Sequence, residues 1–287
     1  MAVRRARDRV ALDLWQVIGA VEDVPATGAA TTVLMEETLA VSRGPAGIAV
    51  HLPETGEALP VLLRYGYVWT SLGTPPAELF PLPEWAEPDR RNLNAGTVGV
   101  HVSAPRAIEN FLDMAHFPYV HTGILGAEPH TEVEDYDVEV SDSRDEVLAT
   151  RCRFWQPMAA TTATGAIMAD YVYRVPHPYC AVLYKTCPAE PHRRDVIGIL
   201  LQPVSEERVR AHLMLSLIDH DNPDTVLRRF QQTIFGQDKP ILENQVPKKL
   251  PLDPRAETPI RADKSAVAYR RWLRQKGLTY GTIPAAA

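Results

Sequence analysis

The residues best suited to chemistry are concentrated between Pro105 and Gly126, in the run PRAIENFLDMAHFPYVHTGILG. Asn110, Asp113 and His116 are spaced three apart, which on a helix steps them along one side, and His121 follows beyond Pro118. Proline removes a backbone donor and disturbs a helix, so the spacing predicts that the helix loosens after His116 and lets the two imidazoles converge. Asp113 lies one turn before His116, placed to accept the proton of its other ring nitrogen, as the outer partner of a metal-bound histidine does. A second acid, Asp238, interrupts an apolar stripe of Leu227, Phe230, Ile234 and Ile241 at helical spacing. A lone carboxylate on such a face is costly and needs a cation, either a metal held by the two histidines or an arginine in a buried ion pair. Each histidine could equally be an ordinary, partly buried one. Together, His116, His121 and Asp238 would form a two-histidine, one-carboxylate triad with open positions, the pattern of non-haem Fe(II) oxygenases.

The rest of the chain narrows the classes that could use such a site. At 287 residues there is room for one large domain or two modest ones, and 45% hydrophobic with 23% charged residues is globular composition. A formal charge of −6 argues against a nucleic-acid binder that works by neutralising phosphates. No apolar run approaches the ~20 residues of a membrane span, and Asp8 and Asp13 interrupt the basic start, so no export signal is expected and the chain is read as cytoplasmic. The three cysteines, Cys152, Cys180 and Cys187, form no C-x-x-C or C-x-H pair, which excludes a zinc ribbon or a four-cysteine cluster within the chain. Cys187 precedes Pro188 and reads as a strand end. The remaining histidines read as surface or hydrogen-bonded residues, and Lys248, Lys249 and Arg255 as a solvated face. With no G-x-G-x-x-G and no P-loop, nicotinamide and flavin must bind a separate reductase.

The elements needed to hold the site follow from pattern. Leu12 to Ala20, Thr31 to Val41 and Arg64 to Leu72 read as short strands punctuated by glycine and proline. Residues 74–88 carry five prolines and read as an extended linker and a domain boundary. Alternation at 131–141, 146–155, 168–175, 180–187, 194–203 and 207–217 predicts a large antiparallel sheet with one buried face. Asn222-Pro223-Asp224 starts a long helix, and another is expected over Asp263 to Lys276, closed by Gly277. The expected fold class is α+β, an antiparallel sheet wrapped around a long C-terminal helix.

ENFLDMAHFPYVHTGILG resembles the catalytic-iron motif of Rieske non-haem iron oxygenase α subunits, N-x-x-D-x-x-H-x4-H. The resemblance extends to RYGYVWTSLG, FGQDKPILENQVPKKLPL and PIRADKSAVAYRRWL, and so runs over nearly the whole chain in order. It implies that His116, His121 and Asp238 ligate one Fe(II) per chain, that Asp113 bridges the iron to a neighbouring subunit's cluster, and that Asn110 is a pocket residue. The fold it implies is a Rieske-like β domain (1–88) followed by a helix-grip catalytic domain (89–287).

The departure from the family is as informative. A Rieske cluster needs two cysteines and two histidines, whereas residues 1–88 contain His51 and no cysteine. Residues 42–60 stand, much shortened, where the cluster-bearing hairpins would be, so the β domain is degenerate. The electrons would then come from a Rieske-containing reductase or a cluster-bearing oxygenase subunit, in a homotrimer or mixed oligomer. Similarity is strongest to the methylxanthine N-demethylase branch, in which a cluster-less oxygenase component of N7-demethylation is served by a reductase with an extra Rieske domain. The expected reaction is hydroxylation of an N-methyl group on a planar heteroaromatic substrate, with loss of formaldehyde. O-demethylation or ring hydroxylation of an aromatic acid would use the same site, and a silent assembly subunit is the non-enzymatic alternative. The purified chain is expected to carry about one iron and no acid-labile sulfide; two irons with inorganic sulfide would overturn this reading of the first 88 residues.

Overall fold

The computed structural model describes residues 8–285. After a single helical turn, α1 (Arg9–Leu12), come seven short strands: β1 (Gln16–Ala20), β2 (Ala29–Leu34), β3 (Glu37–Gly44), β4 (Gly47–His51), β5 (Ala58–Leu59), β6 (Val61–Arg64) and β7 (Tyr67–Thr70). They build a sheet ordered β1-β7-β6 and a second ordered β2-β3-β4-β5. Two of the expected single strands are hairpins. Met35 and Glu36 both adopt positive φ and turn β2 into β3, and Tyr65 and Gly66 do the same between β6 and β7. Paired positive φ values give the turn whose twist matches that of the strands. Within 42–60, the stretch expected to hold shortened hairpins, β4 and β5 pair across a tight loop. The proline-rich 74–88 segment is extended apart from one 3-10 turn, and it is docked: Trp15 Nε1 donates to Pro76 O and Arg174 donates to Pro81 O.

The second half is dominated by β8 (Arg91–Val100), β9 (Asp137–Ser141), β10 (Glu146–Gln156), β11 (Ile167–His177), β12 (Cys180–Thr186), β13 (Arg194–Ser205) and β14 (Arg208–Leu217). They form one antiparallel sheet in the order β8-β14-β13-β12-β11-β10-β9. Of the expected 131–141 strand, only Asp137–Ser141 pairs. β12 to β14 are mainly apolar on both faces because both faces are covered. On the outer face, Val182, Val196, Leu200 and Met214 pack with Trp15, Val17, Tyr67 and Trp69 of the β1-β7-β6 sheet. On the inner face, Leu183, Ile197, Leu213 and Leu215 turn toward the helices.

Four helices complete the fold: α2 (Ala104–Leu112), one-turn α3 (Phe117–Val120), α4 (Asp224–Asn244) and α5 (Lys264–Lys276), the last closed by Gly277 in the left-handed region. The strands β15 (Leu250–Pro251) and β16 (Thr282–Ile283) pair in parallel near the end. α4 lies across the sheet, tied to β8 by side-chain donors along its length: Arg228 to Asn94 O, Gln232 to Ala95 O and Lys239 to Gly99 O. Its buried face is Leu227, Gln231, Phe235, Asp238 and Leu242. Ile241, expected on that face, is 43% exposed, while Phe230 and Ile234 are half-buried and line a cavity. Leu227 and Asp238 keep their expected side, and the covered face is broader than the stripe because it meets both the core and the cavity.

One buried histidine, His212, joins the halves, and a second, His177, is buried within the large sheet. His212 donates from Nε2 to Gln202 Oε1 and accepts at Nδ1 from Thr97, and Gln202 donates on to Thr32 and Val33 O. His177 accepts the Tyr179 amide at Nδ1. Burial pushes both imidazoles down from 6.5 to about 3. Between those values the unfolded chain takes up protons that the native chain refuses, so their stabilisation is present above pH 6.5 and lost as pH falls below it. The urea midpoint is expected to fall steadily from pH 7 toward pH 5, and more shallowly in His177→Asn, whose amide can accept the same bond. Equal slopes in the two proteins would show that His177 is not held neutral.

Candidate metal centre

α2 begins at Ser103, whose hydroxyl accepts the Arg106 amide, and proline occupies its first turn. It stops at Leu112, earlier than the spacing predicts. Asp113 has extended backbone (φ −81, ψ 128), and its Oδ1 accepts the Ala115 amide at 2.7 Å. A short acidic side chain that captures a nearby N–H competes with the helix, so Asp113 ends it and Pro118 does not. Pro118 sits instead in the first turn of α3, where a missing N–H costs nothing. His116 and His121 flank that one turn, which brings their ring centroids to 5.0 Å. α2 is anchored from below by Arg270 of α5, which donates to Glu109 at 2.6 Å.

Asp238 arrives from α4. Its Oδ1 lies 3.3 Å from His116 Nε2 and 3.1 Å from His121 Nε2, and the two Nε2 atoms are 3.1 Å apart. Asn110, on the last turn of α2, donates to the same Oδ1 at 3.1 Å. Asp238 and His121 are 8% and 1% exposed. No arginine or lysine forms an ion pair with Asp238 among the described residues, so the buried ion pair left open by the sequence is not formed.

The outer ring nitrogens fix which way the inner ones face. Asp113 Oδ2 accepts His116 Nδ1–H at 3.0 Å, and Gln237 Oε1 accepts His121 Nδ1–H at 2.9 Å. With both protons held outward, two Nε2 lone pairs and a carboxylate oxygen face one another, three acceptors with no donor between them. A cation would relieve the repulsion between them, and two imidazoles with one carboxylate suit a divalent transition metal with open positions. The ligand atoms of His116, His121 and Asp238 all lie within 4.8 Å of one another, close enough to share one ion. The protonation preferences agree. Burial opposes charge on His116, yet the hydrogen bonds and charges of Asp113 and Asp238 outweigh it and hold the imidazole up at about 9. Burial likewise opposes charge on Asp238, and the two histidines outweigh it and pull the carboxyl down to about 2.

The structure thus brings together all five residues singled out in the sequence. Gln237 escapes sequence reasoning, although it lies within the FGQDKP run; only its contact with His121 reveals a role. A cavity opens from the centre between α4 and the inner face of the sheet, walled mainly by apolar side chains such as Phe111, Phe117, Leu183, Leu213, Phe230 and Ile234. Asp113 stands on the other side of His116, with its side chain 31% exposed. The arrangement can present an apolar planar ligand to a metal from one side while a charged group reaches the surface on the other.

Residues 100–278 match the family described as the vanillate O-demethylase oxygenase C-terminal domain. The probable methylxanthine N7-demethylase NdmC of Pseudomonas sp. strain TJI-51 is 44% identical over 277 residues, 96% of this chain and 98% of its own. The methylxanthine N1-demethylase NdmA of Pseudomonas putida is 24% identical over 215 residues, 74% of this chain and 58% of its own. The solved structure of NdmA with caffeine superposes with a TM-score of 0.75 at 19% identity, covering 93% of this chain and 92% of that one, so the fold is shared. The chain belongs to the Rieske-type non-haem iron oxygenases, as a member that carries the family's catalytic domain without the residues for a Rieske cluster.

Proposed function

We propose that this chain is the oxygenase component of an oxidative N-demethylase acting on a methylxanthine-like heterocycle in the cytoplasm, with His116, His121 and Asp238 holding one Fe(II). The observation that carries the reading is the cluster of three facing acceptors, with both outer imidazole protons already tied down, at the end of a mainly apolar cavity. The near full-length similarity to a probable methylxanthine N7-demethylase supports the substrate class. In the net change, the N-methyl group, one O2, two electrons and two protons give an N-hydroxymethyl group and one water. The carbinolamine then breaks its C–N bond, releases formaldehyde and leaves the ring nitrogen with a hydrogen. Bound iron would supply the activation of O2 by electrons that a partner's Rieske cluster delivers, the partner reductase also carrying the NAD(P)H and flavin chemistry.

The chain's own residues set the conditions. Asp113 and Gln237 fix the tautomer and orientation of the two imidazoles. Asn110 steadies the Asp238 carboxylate. The apolar walls exclude water and allow a planar ring to lie with its methyl group toward the ligand triad. Asp113, tied to His116 and partly exposed, marks the edge against which an electron donor would dock. We place the boundary between the degenerate Rieske-like segment and the catalytic domain at residues 88 and 89. The vanillate O-demethylase match favours O-demethylation of an aromatic substrate as the second reading. A silent subunit would have no need of a complete, correctly tautomerised donor set.

Asp238→Ala is expected to abolish stoichiometric iron binding, measured by metal analysis after reconstitution. If Asp238 served only to neutralise the histidines, the variant would retain iron and lose about 3–5 kcal/mol of stability instead. Asp113→Asn keeps the size and removes the charge, so iron should remain with ~10–100-fold weaker affinity. Turnover driven by the partner should collapse in that variant, while hydrogen peroxide, which brings both oxygen and electrons, should restore some product. Normal partner-driven turnover in Asp113→Asn would remove the donor route through this residue.

A further inference from the structure

One row of the sheet's inner face departs from its neighbours. Tyr171 of β11 stands directly opposite Lys185 of β12, which stands directly opposite Asp195 of β13. Directly opposed residues of an antiparallel pair share a face, so the three form a polar row across three strands. The next row on that face is Tyr173, Leu183, Ile197 and Leu215. All three members of the polar row line the same cavity as the histidine pair, and Lys185 and Asp195 are 3% and 5% exposed. Buried polar groups of this kind are retained where something satisfies them.

The hydrogen bonds within the chain leave donors over. Tyr171 Oη is buried and has no partner among the described residues. Lys185 Nζ donates to Ala159 O and lies 5.7 Å from the centre of the Tyr171 ring, and an amine has further N–H donors to offer. One oxygen of Asp195, Oδ1, accepts the Ile218 amide. Lys185 and Tyr171 therefore hold at least two unspent donors in the wall of a cavity that is otherwise mainly apolar. The ring of Tyr171 is 6.3 Å from that of Phe117, which in turn is 5.1 Å from the His116 ring, so the donors belong to the same cavity wall as the metal ligands.

We propose that Lys185 and Tyr171 are specificity-determining residues: a donor pair that takes an acceptor oxygen on the ligand and so turns its methyl group toward the histidine–aspartate centre. The acceptor is a ring carbonyl if the ligand is a xanthine, as the proposed function has it, and a carboxylate if it is an aromatic acid. Burial pushes the Lys185 amine down to about 7, against the pull of Asp195, and pushes the Tyr171 phenol well above its ordinary value. Both groups therefore keep N–H or O–H donors near neutral pH, whether or not the amine carries its extra proton. The donor pair says nothing about iron, and its role can be tested without turnover.

The test is calorimetric binding to the full, iron-loaded chain without oxygen or reductase. The ligands are 7-methylxanthine, 7-methylpurine (which lacks the carbonyls) and vanillate. Wild type should prefer 7-methylxanthine over 7-methylpurine by about tenfold or more, since a site built to donate to an oxygen discriminates against its absence. Lys185→Met should erase most of that preference, and Tyr171→Phe should reduce it about three- to tenfold, with 7-methylpurine affinity nearly unchanged in both. Tyr171→Phe removes one unpartnered oxygen and keeps the ring, so it tests the proposal even if Lys185→Met disturbs the segment at Ala159. Vanillate binding that depends on both residues, with no xanthine binding, would support the donor pair and overturn the xanthine reading. Equal weakening of all ligands in both variants would mean the residues only shape the wall, and would overturn the proposal. Binding of no ligand by wild type would overturn the donor pair and the xanthine reading together.

Discussion

Two imidazole nitrogens and a carboxylate oxygen converge to within 3.1–3.3 Å of one another in a buried place, with no donor supplied by the chain except the Asn110 amide. The rest of the structure is organised around that constraint. Left alone, the arrangement would be repulsive, and it is maintained because each outer ring nitrogen is committed to a fixed acceptor. Asp113 and Gln237 hold the rings in the one tautomer that turns both lone pairs inward. This favours a cation at the centre and makes its geometry depend on residues outside the triad.

Holding three donors from two distant stretches of chain requires a stiff frame. α4 delivers Asp238 at a fixed height because Arg228, Gln232 and Lys239 pin it to the carbonyls of Asn94, Ala95 and Gly99 in β8. α2 is held by its serine cap and by the Glu109–Arg270 pair. The sheet behind the cavity is itself backed by the β1-β7-β6 sheet, so β12 to β14 have little freedom to move outward. A site whose ligands must stay within a few tenths of an ångström gains from two packed layers behind it. The cluster-less first segment thereby contributes to the catalytic domain through packing.

The convergence of His116, His121 and Asp238 is legible in the sequence because its physics is local and unusual: two histidines near a proline, and an acid in an apolar helical stripe. The antiparallel sheet and the closing helix are legible from alternation and from glycine and proline punctuation. Other features depend on contacts that spacing does not encode. Asp113 has the spacing of a helical residue, yet its own side chain ends the helix by capturing the Ala115 amide. The strands expected at Thr31–Val41 and Arg64–Leu72 conceal hairpins, because positive φ at Met35, Glu36 and Tyr65 is not signalled by residue type. Ile241 has the spacing of a core position, but Leu242 is the buried one. Lys185 occupies an ordinary alternating position, and only its cross-strand neighbours make it notable.

The central claim is that His116, His121 and Asp238 supply the whole protein ligand set of a mononuclear iron. X-ray absorption at the iron edge of the reconstituted chain tests it most directly. The expected first shell is nitrogen and oxygen only, with outer-shell scattering from two imidazoles that falls to one in His121→Ala. Sulfur in the first shell, an iron–iron vector, or an imidazole count unchanged by that substitution would contradict it.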